Sequence, residues 1–418
     1  MKISEHFARR GRRKGRPAEH EMKAFTELPG AGPEGLSFAL YQSLGIDLQP
    51  GNRLDVLQNS RVFDALEQAI RAAETSVHIL IYIWRPCDQP SERIVQAVLD
   101  RARAGVRCRV IVDPVGSESL TTDSDFDQSV EQRLRKGGVE VHYYRPLKGK
   151  LLGRLMGRTH EKIVVVDGTV GVTGGFGIWK AWLGDGDTEE HWRDTSVRVE
   201  GPAVKEMQLA FSRAWQESGG GLLPEDAFPP LTARGPARAG FVSSSGRLGV
   251  TDAERLTRLV IAAAKRRLWI CNAYFTPPSG ILYQLEQKAA QGVDIRVVAP
   301  GPVHDVKSVR ASQRSTYKRL LKAGLRIWEY QPSMLHSKTL LVDDWLAVIG
   351  SINLDPLSLN KLGEGSLVMS DPSVAAELEQ SFHLDVSRSI EMKLPRAGFA
   401  GPYKRISRRL NVWAGMDR

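Results

Sequence analysis

His160-Glu161-Lys162-Ile163-Val164-Val165-Val166-Asp167 recurs downstream as His336-Ser337-Lys338-Thr339-Leu340-Leu341-Val342-Asp343, an H-x-K-x-x-x-x-D pattern once in each half of the chain. The contexts match as well. Each copy runs through an apolar, strand-like stretch to an Asp at a turn and then into a second apolar run. That run ends in Val172-Thr173-Gly174-Gly175-Phe176-Gly177 in the first half and Val348-Ile349-Gly350-Ser351-Ile352-Asn353 in the second. Strand side chains alternate faces, so His160 shares a side with Lys162, and His336 with Lys338. Asp167 and Asp343 complete the catalytic signature but lie an odd number of positions on, so we read them as turn or scaffold groups more than direct participants. The doubling points to one active site assembled from two halves, with a pair of histidines for acid–base and nucleophilic work.

The repeat extends upstream. Ala104-Gly105-Val106-Arg107-Cys108-Arg109-Val110 resembles Gln291-Gly292-Val293-Asp294-Ile295-Arg296-Val297, and Lys136-Gly137-Gly138-Val139-Glu140-Val141 resembles Lys322-Ala323-Gly324-Leu325-Arg326-Ile327. Each is a helix end, a glycine and a buried strand. The fold class expected is α/β: two pseudo-symmetric halves, each a mixed β-sheet flanked by helices, packed into one bilobal unit. A pseudo-twofold axis would bring His160 and His336 together. Residues 1–50 read as a basic arm and an irregular lead-in, 51–218 as the first half, 219–240 as a Gly- and Pro-rich linker, 241–390 as the second half and 391–418 as a basic tail.

These residues, with Gly350-Ser351-Ile352-Asn353-Leu354-Asp355-Pro356-Leu357-Ser358-Leu359 and Trp192-Arg193-Asp194-Thr195 before Val199-Glu200-Gly201-Pro202, resemble the two-motif phospholipase D superfamily over about 52–390. The likeness is strongest to the bacterial cardiolipin synthases. It implies a two-step route through a phosphohistidine, with His160 as nucleophile, His336 as general acid and base, and no metal or other cofactor. The residue types suit that chemistry. One imidazole can attack phosphorus while the other protonates the departing alkoxide, and Lys162 and Lys338 would neutralise the phosphoryl oxygens. Asp194 and Glu364, 34 and 28 residues after the histidines of their own halves, are the candidates to accept each ring's other N–H. Asn353 and Ser351 are candidate phosphate-binding or orienting groups. The family usually carries an Asn where this chain has Gly177, and another where it has Leu362; each loss removes a donor and predicts a slower or differently selective enzyme.

Composition is that of a globular chain: 418 residues, 42% hydrophobic and 25% charged. No stretch approaches a spanning helix and the N-terminus lacks a signal-peptide core, which suggests a peripheral protein on the cytoplasmic side of a bacterial membrane. Cys87, Cys108 and Cys271 read as reduced residues, and His78, His142 and His304 as structural ones. The net charge of +10 is concentrated in residues 9–16, in the tail around Lys404, Arg405, Arg408 and Arg409, and in Lys148, Lys150 and Arg154, which interleave with leucines just before His160. Basic and apolar residues together suit an anionic membrane surface. The expected partners are phospholipids, phosphatidylglycerol foremost, with nucleic acid less favoured and no protein partner expected. The leading function is therefore phosphatidyl transfer that makes cardiolipin from phosphatidylglycerol and a second phospholipid. The alternatives are a phospholipid hydrolase or nuclease of the same chemistry, and a weakly active membrane-binding protein.

Overall fold

The computed structural model describes residues 27–85, 89–117, 128–145, 157–246 and 249–394. The arm at 9–16, the tail at 403–413, the basic and apolar stretch at 147–156 and Cys87 lie outside the described residues.

Helix α1 (Gly32–Leu44) precedes β1 (Gln49–Gln58), α2 (Arg61–Arg71), β2 (Ser76–Ile81), α3 (Gln89–Arg103), β3 (Arg107–Val112), α4 (Gln128–Lys136) and β4 (Glu140–Tyr143). The hairpin β5 (Ile163–Val166) and β6 (Val170–Gly174), then β7 (Thr195–Glu200) and α5 (Val204–Glu217), complete the first half. The second half repeats the plan as β8 (Ala237–Ser244), α6 (Asp252–Ala263), β9 (Arg267–Asn272), α7 (Ser279–Ala290), β10 (Asp294–Pro300), α8 (Lys307–Lys322) and β11 (Arg326–Tyr330). It ends with β12 (Lys338–Val342), β13 (Leu346–Gly350), α9 (Pro356–Lys361), β14 (Glu364–Ser370), α10 (Pro372–Ser387) and β15 (Ser389–Met392).

The fifteen strands of the described residues form one continuous sheet. From the central β1–β8 pair the first half runs β1-β7-β6-β5-β2-β3-β4 and the second β8-β14-β13-β12-β9-β10-β11, with β15 added at its edge. Each half is mixed: β2, β3 and β4 are parallel, as are β9, β10 and β11, and the motif hairpins are antiparallel. Ile163 faces Thr173 in one hairpin and Thr339 faces Ile349 in the other, so the same offset relates both strands of the repeat. Gly177 is thus the counterpart of Asn353, and Gly175 of Ser351. The next pairing, Thr173 with Val197 against Ile349 with Leu367, makes Asp194 the counterpart of Glu364.

Why the motif strands are apolar on both faces is visible in the packing. Ile163 and Val165 enter a core shared by the two halves, which also holds Leu341, Phe241, Phe211 and Trp269. Val164 and Val166 point the other way, under α2 and α3 of the first half. Leu340 and Val342 do the same under the second-half helices. Burial on both sides removes the alternation that a half-exposed strand would show. The shared core locks the halves face to face, which is what fixes a site between them.

Three boundaries differ from the sequence reading. The lead-in is not irregular: α1 starts with Pro33 in its first turn and ends at Gly45 in the left-handed region, φ 69°. Its Leu36 and Leu40, with Leu48, are buried in the core of the second half, not the first. The linker stops short of 240, because β8 begins at Ala237. The edge strand β15 pairs with β11 and carries the second half to Met392.

Candidate active site

Each motif histidine sits just before its hairpin strand and is held by a backbone bridge to the opposite half. His160 N–H donates to Gly363 O at 2.6 Å, and Gly363 N–H to Arg158 O at 2.7 Å. By the same geometry His336 N–H donates to Arg193 O at 2.7 Å, and Arg193 N–H to Met334 O at 2.9 Å. The residue after each bridging position is a carboxylate. Glu364 therefore reaches His160 Nδ1, with both oxygens at 3.1 Å, and Asp194 reaches His336 Nδ1 at 2.9 Å. This corrects the sequence reading, which gave each carboxylate to the histidine of its own half. The twofold arrangement exchanges them, so neither half can orient its own imidazole.

With Nδ1 bonded to a carboxylate, Nε2 is the nitrogen left for chemistry. The lysines lie within the same pocket. Lys162 Nζ donates to His160 O at 2.5 Å, and Lys338 Nζ donates to His336 O and comes within 2.9 Å of His336 Nδ1. Burial, then the partner lysine's charge, holds Lys162 down to about 7 against the opposing pull of Glu364; burial holds Lys338 down to about 8. His336 is held down to about 4 by burial and by the Lys338 charge, and His160 is lowered by burial, with Lys162 and Lys338 adding to it. Each histidine senses the other motif's lysine, which places all four groups in one electrostatic neighbourhood. Two buried cations this close repel, and an anion arriving between them relieves that repulsion. The pocket is built to receive negative charge.

The carboxylates themselves are set differently. Glu364, fully buried, takes the Ser351 hydroxyl and the Ser358 hydroxyl, the latter at 2.5 Å. Asp194 takes the indole N–H of Trp182 at 2.8 Å and the backbone N–H of Thr195 at 2.8 Å. Burial would raise Asp194, but His336, the Lys338 charge and Trp182 together bring it below the ordinary range. Gly175 is required here, since a Cβ on it would lie 2.6 Å from both Asp194 oxygens. Ser351 thus orients Glu364 from a position where the first half has only glycine. Asn353 is buried beside this group, its N–H on Ser358 Oγ at 2.8 Å and its side-chain oxygen buried without a partner.

Asp167 and Asp343 do not join the pocket's chemistry, and their place in the catalytic signature is corrected. They occupy the hairpin turns at φ 51° and 50°. Asp167 accepts the backbone N–H groups of Glu74, Thr75 and Ser76, and Asp343 those of Lys265, Arg266 and Arg267. Each aspartate ties its hairpin to the start of the neighbouring strand. Short polar residues tolerate that left-handed conformation, which explains the residue type without any catalytic duty.

Sequence reasoning missed several groups. Tyr82 stands edge-on to His160, ring centroids 5.0 Å apart, with Lys162 Nζ 5.3 Å from its ring centre. It follows directly on β2, at the carboxyl end of a parallel strand where α/β sheets place their ligands, so a signal existed. Asp113, just after β3, accepts Thr159 N–H at 3.2 Å and is pushed up to about 6 by burial. Trp182 and Trp192 pack on His336 at 5.2 and 5.1 Å between ring centres. Ser358 lies in the stretch that carries the family resemblance, though its residue type alone gives it no role. Among the described residues no group of three or more His, Cys, Asp or Glu side chains is arranged to hold a metal ion, and no helix is long and apolar enough to cross a membrane.

Comparison with known proteins gives this geometry its context. The family described as cardiolipin synthase, PLD-like domain, matches residues 66–215 and 258–386. Cardiolipin synthase A of Pseudomonas aeruginosa is 32% identical over 384 residues, covering 90% of this chain and 75% of that protein. Cardiolipin synthase 1 of Bacillus anthracis is 31% identical over 343 residues, and the cardiolipin synthase of Geobacillus kaustophilus 34% over 310. These matches take in 80% and 73% of this chain but only 66% and 60% of the length of the two relatives. Two solved structures share the fold. A phosphatidylserine synthase of Haemophilus influenzae has TM-score 0.66 at 14% identity, over 87% of this chain and 94% of that one. A polyphosphate kinase of Porphyromonas gingivalis has TM-score 0.52 at 13% identity, over 94% and 56%. Two repeated halves, a shared histidine–lysine pocket and a profile that matches both halves lead to one assignment: the chain belongs to the phospholipase D-like family of cardiolipin synthases.

Proposed function

We propose that the protein is a phosphatidyltransferase that makes cardiolipin from phosphatidylglycerol and a second phospholipid. The observation that carries the reading is the crossed pair of dyads: two imidazoles with free Nε2 atoms, each oriented by the other half's carboxylate, beside two buried lysines. In the first step His160 Nε2 attacks phosphorus and the bond to the glycerol oxygen breaks, with His336 giving that oxygen its proton. In the second step His336 takes the proton from the acceptor hydroxyl, whose oxygen attacks phosphorus; the phosphorus–nitrogen bond breaks and His160 is restored. Lys162 and Lys338 hold the phosphoryl oxygens, and Asn353 contributes from the second half alone.

The protonation states fit the order of events. Burial keeps His160 neutral, as a nucleophile must be. His336 is neutral in the empty pocket as well, and the arriving phosphodiester anion raises it toward the imidazolium that an acid requires. The relatives' names place them in cardiolipin synthesis. Action at a membrane surface, on its cytoplasmic side, goes with phospholipid substrates and the basic segments. Mass spectrometry of lipids after incubation with phosphatidylglycerol vesicles tests the proposal. Cardiolipin from the wild type, and from neither His160→Ala nor His336→Ala, is the expected result. Phosphatidic acid alone would make the protein a hydrolase, and overturn it.

A further inference from the structure

The departure at Gly177 has a physical counterpart. Gly177 corresponds to Asn353 by hairpin register, yet an Asn there has no room: a Cβ would lie 2.8 and 3.0 Å from Trp182 ring atoms and 3.0 Å from Ile83 Cβ. Its φ is not among the left-handed ones, so space and not backbone demands the glycine. Trp182 is fully buried, one of the largest side chains in the core, on a short 3-10 turn five residues on. Its indole N–H donates at 2.8 Å to Asp194 Oδ2, the same oxygen that takes His336 Nδ1 at 2.9 Å. Its ring also stands perpendicular to the His336 ring, 88° between planes. In the second half the matching carboxylate, Glu364, is held instead by Ser351 and Ser358. The first half has therefore exchanged a phosphate donor for a clamp on the carboxylate.

We infer that Trp182 is a positioning residue for the reaction, acting on His336 through Asp194, and that Gly177 is glycine because that indole occupies the space of the missing side chain. The inference rests on the two-histidine reading given above. It makes the pocket lopsided at one matched position: the second half keeps Asn353 for the phosphate, while the first half has Gly177 and gives that space to the indole that holds Asp194.

The test uses the full chain, with titration of the His336 ring followed by NMR of histidine-labelled protein and turnover on phosphatidylglycerol vesicles. Trp182→Phe keeps an aromatic ring and removes the N–H. A benzothienylalanine at 182 keeps the whole indole shape and lacks only the donor, so it separates the hydrogen bond from packing. With that donor gone Asp194 binds the His336 proton more strongly. The His336 titration then moves upward and kcat falls roughly 10- to 100-fold, the loss of one hydrogen bond to a charged group, with KM for lipid little changed. Gly177→Asn alone should lower activity by displacing the indole, and Gly177→Asn with Trp182→Leu should recover part of the loss. An unmoved His336 titration in the benzothienyl variant, or a Gly177→Asn enzyme as active as wild type, would overturn the inference. The titration needs no substrate, so a wild type without lipid turnover would sink the proposed function and leave the role of Trp182 decided separately.

Discussion

If Glu364 serves His160 and Asp194 serves His336, then removing Glu364 should cripple attack on phosphorus, while removing Asp194 should cripple the proton transfers. Glu364→Gln is nearly isosteric. Ser351 can turn its hydroxyl to Gly365 O, 3.2 Å away, so the fold should tolerate the change. The charge behind His160 is lost all the same. A hydrogen bond to a charged group contributes about 1.5–3 kcal/mol, or roughly 10- to 150-fold in rate. If the amide N–H instead meets Nδ1, the ring proton moves to Nε2, where the attacking lone pair should be, and wrong-tautomer losses reach about 10⁴. A phosphatidyl ester of p-nitrophenol tells the steps apart, because its leaving group departs without a proton and formation of the covalent intermediate needs no acid. In a rapid-quench burst on that substrate, Asp194→Asn should stay within a few-fold of wild type, while Glu364→Gln stays slow by the factors above. On phosphatidylglycerol both should be slow. A slow burst in Asp194→Asn with a fast one in Glu364→Gln would refute the crossed assignment.

Other consequences follow from the same geometry. Because Lys162 and Lys338 are held at about 7 and 8 and must carry charge to bind an anion, kcat/KM should fall as pH rises through about 7–8, well below the ordinary lysine range; a pH–rate profile of the free enzyme checks this. The unfolded chain binds more protons at these lysines between about pH 7 and 10.5, so stability should rise with pH across that window. Lys162→Met should melt higher at pH 7, by about 1–4 kcal/mol, while abolishing turnover. Asp167→Ala removes a carboxylate from three backbone N–H groups and leaves alanine at positive φ. It should lose about 2–4 kcal/mol in denaturant melts with kcat on residual folded enzyme near wild type. Arg193→Met leaves Asp385 buried without the guanidinium it meets at 2.8 Å, a loss of about 3–5 kcal/mol by the same assay.

Much of this was legible in the sequence because the repeat is local. The hairpins that carry His160 and His336 keep one offset through both strands, and apolar runs of that length can only be buried. The ownership of Asp194 and Glu364 was not legible, since it depends on a twofold axis that brings Gly363 beside Thr159 and Leu335 beside Arg193. Helix α1 could have been found from Pro33 and Gly45, but its burial against the second half required the central β1–β8 pairing. Gly177 read as a lost donor because spacing shows what is absent from a position and not what fills it. Trp182 carries no motif, and the close approach of its ring, with Ile83 beside it, explains the glycine.

The central claim is that two halves make one phosphatidyl-transfer site that works through a histidine of the first motif. Base-quenched reactions of phosphatidylglycerol labelled at phosphorus, followed by peptide mapping of the protein-bound label at alkaline pH, test it most directly, because a phosphohistidine survives base but not acid. The account predicts label on the peptide carrying His160 in the wild type, slower to appear in His336→Ala, which lacks the acid for the departing glycerol, and absent from His160→Ala. Label on His336, or steady turnover with no protein-bound label at any time, would contradict it.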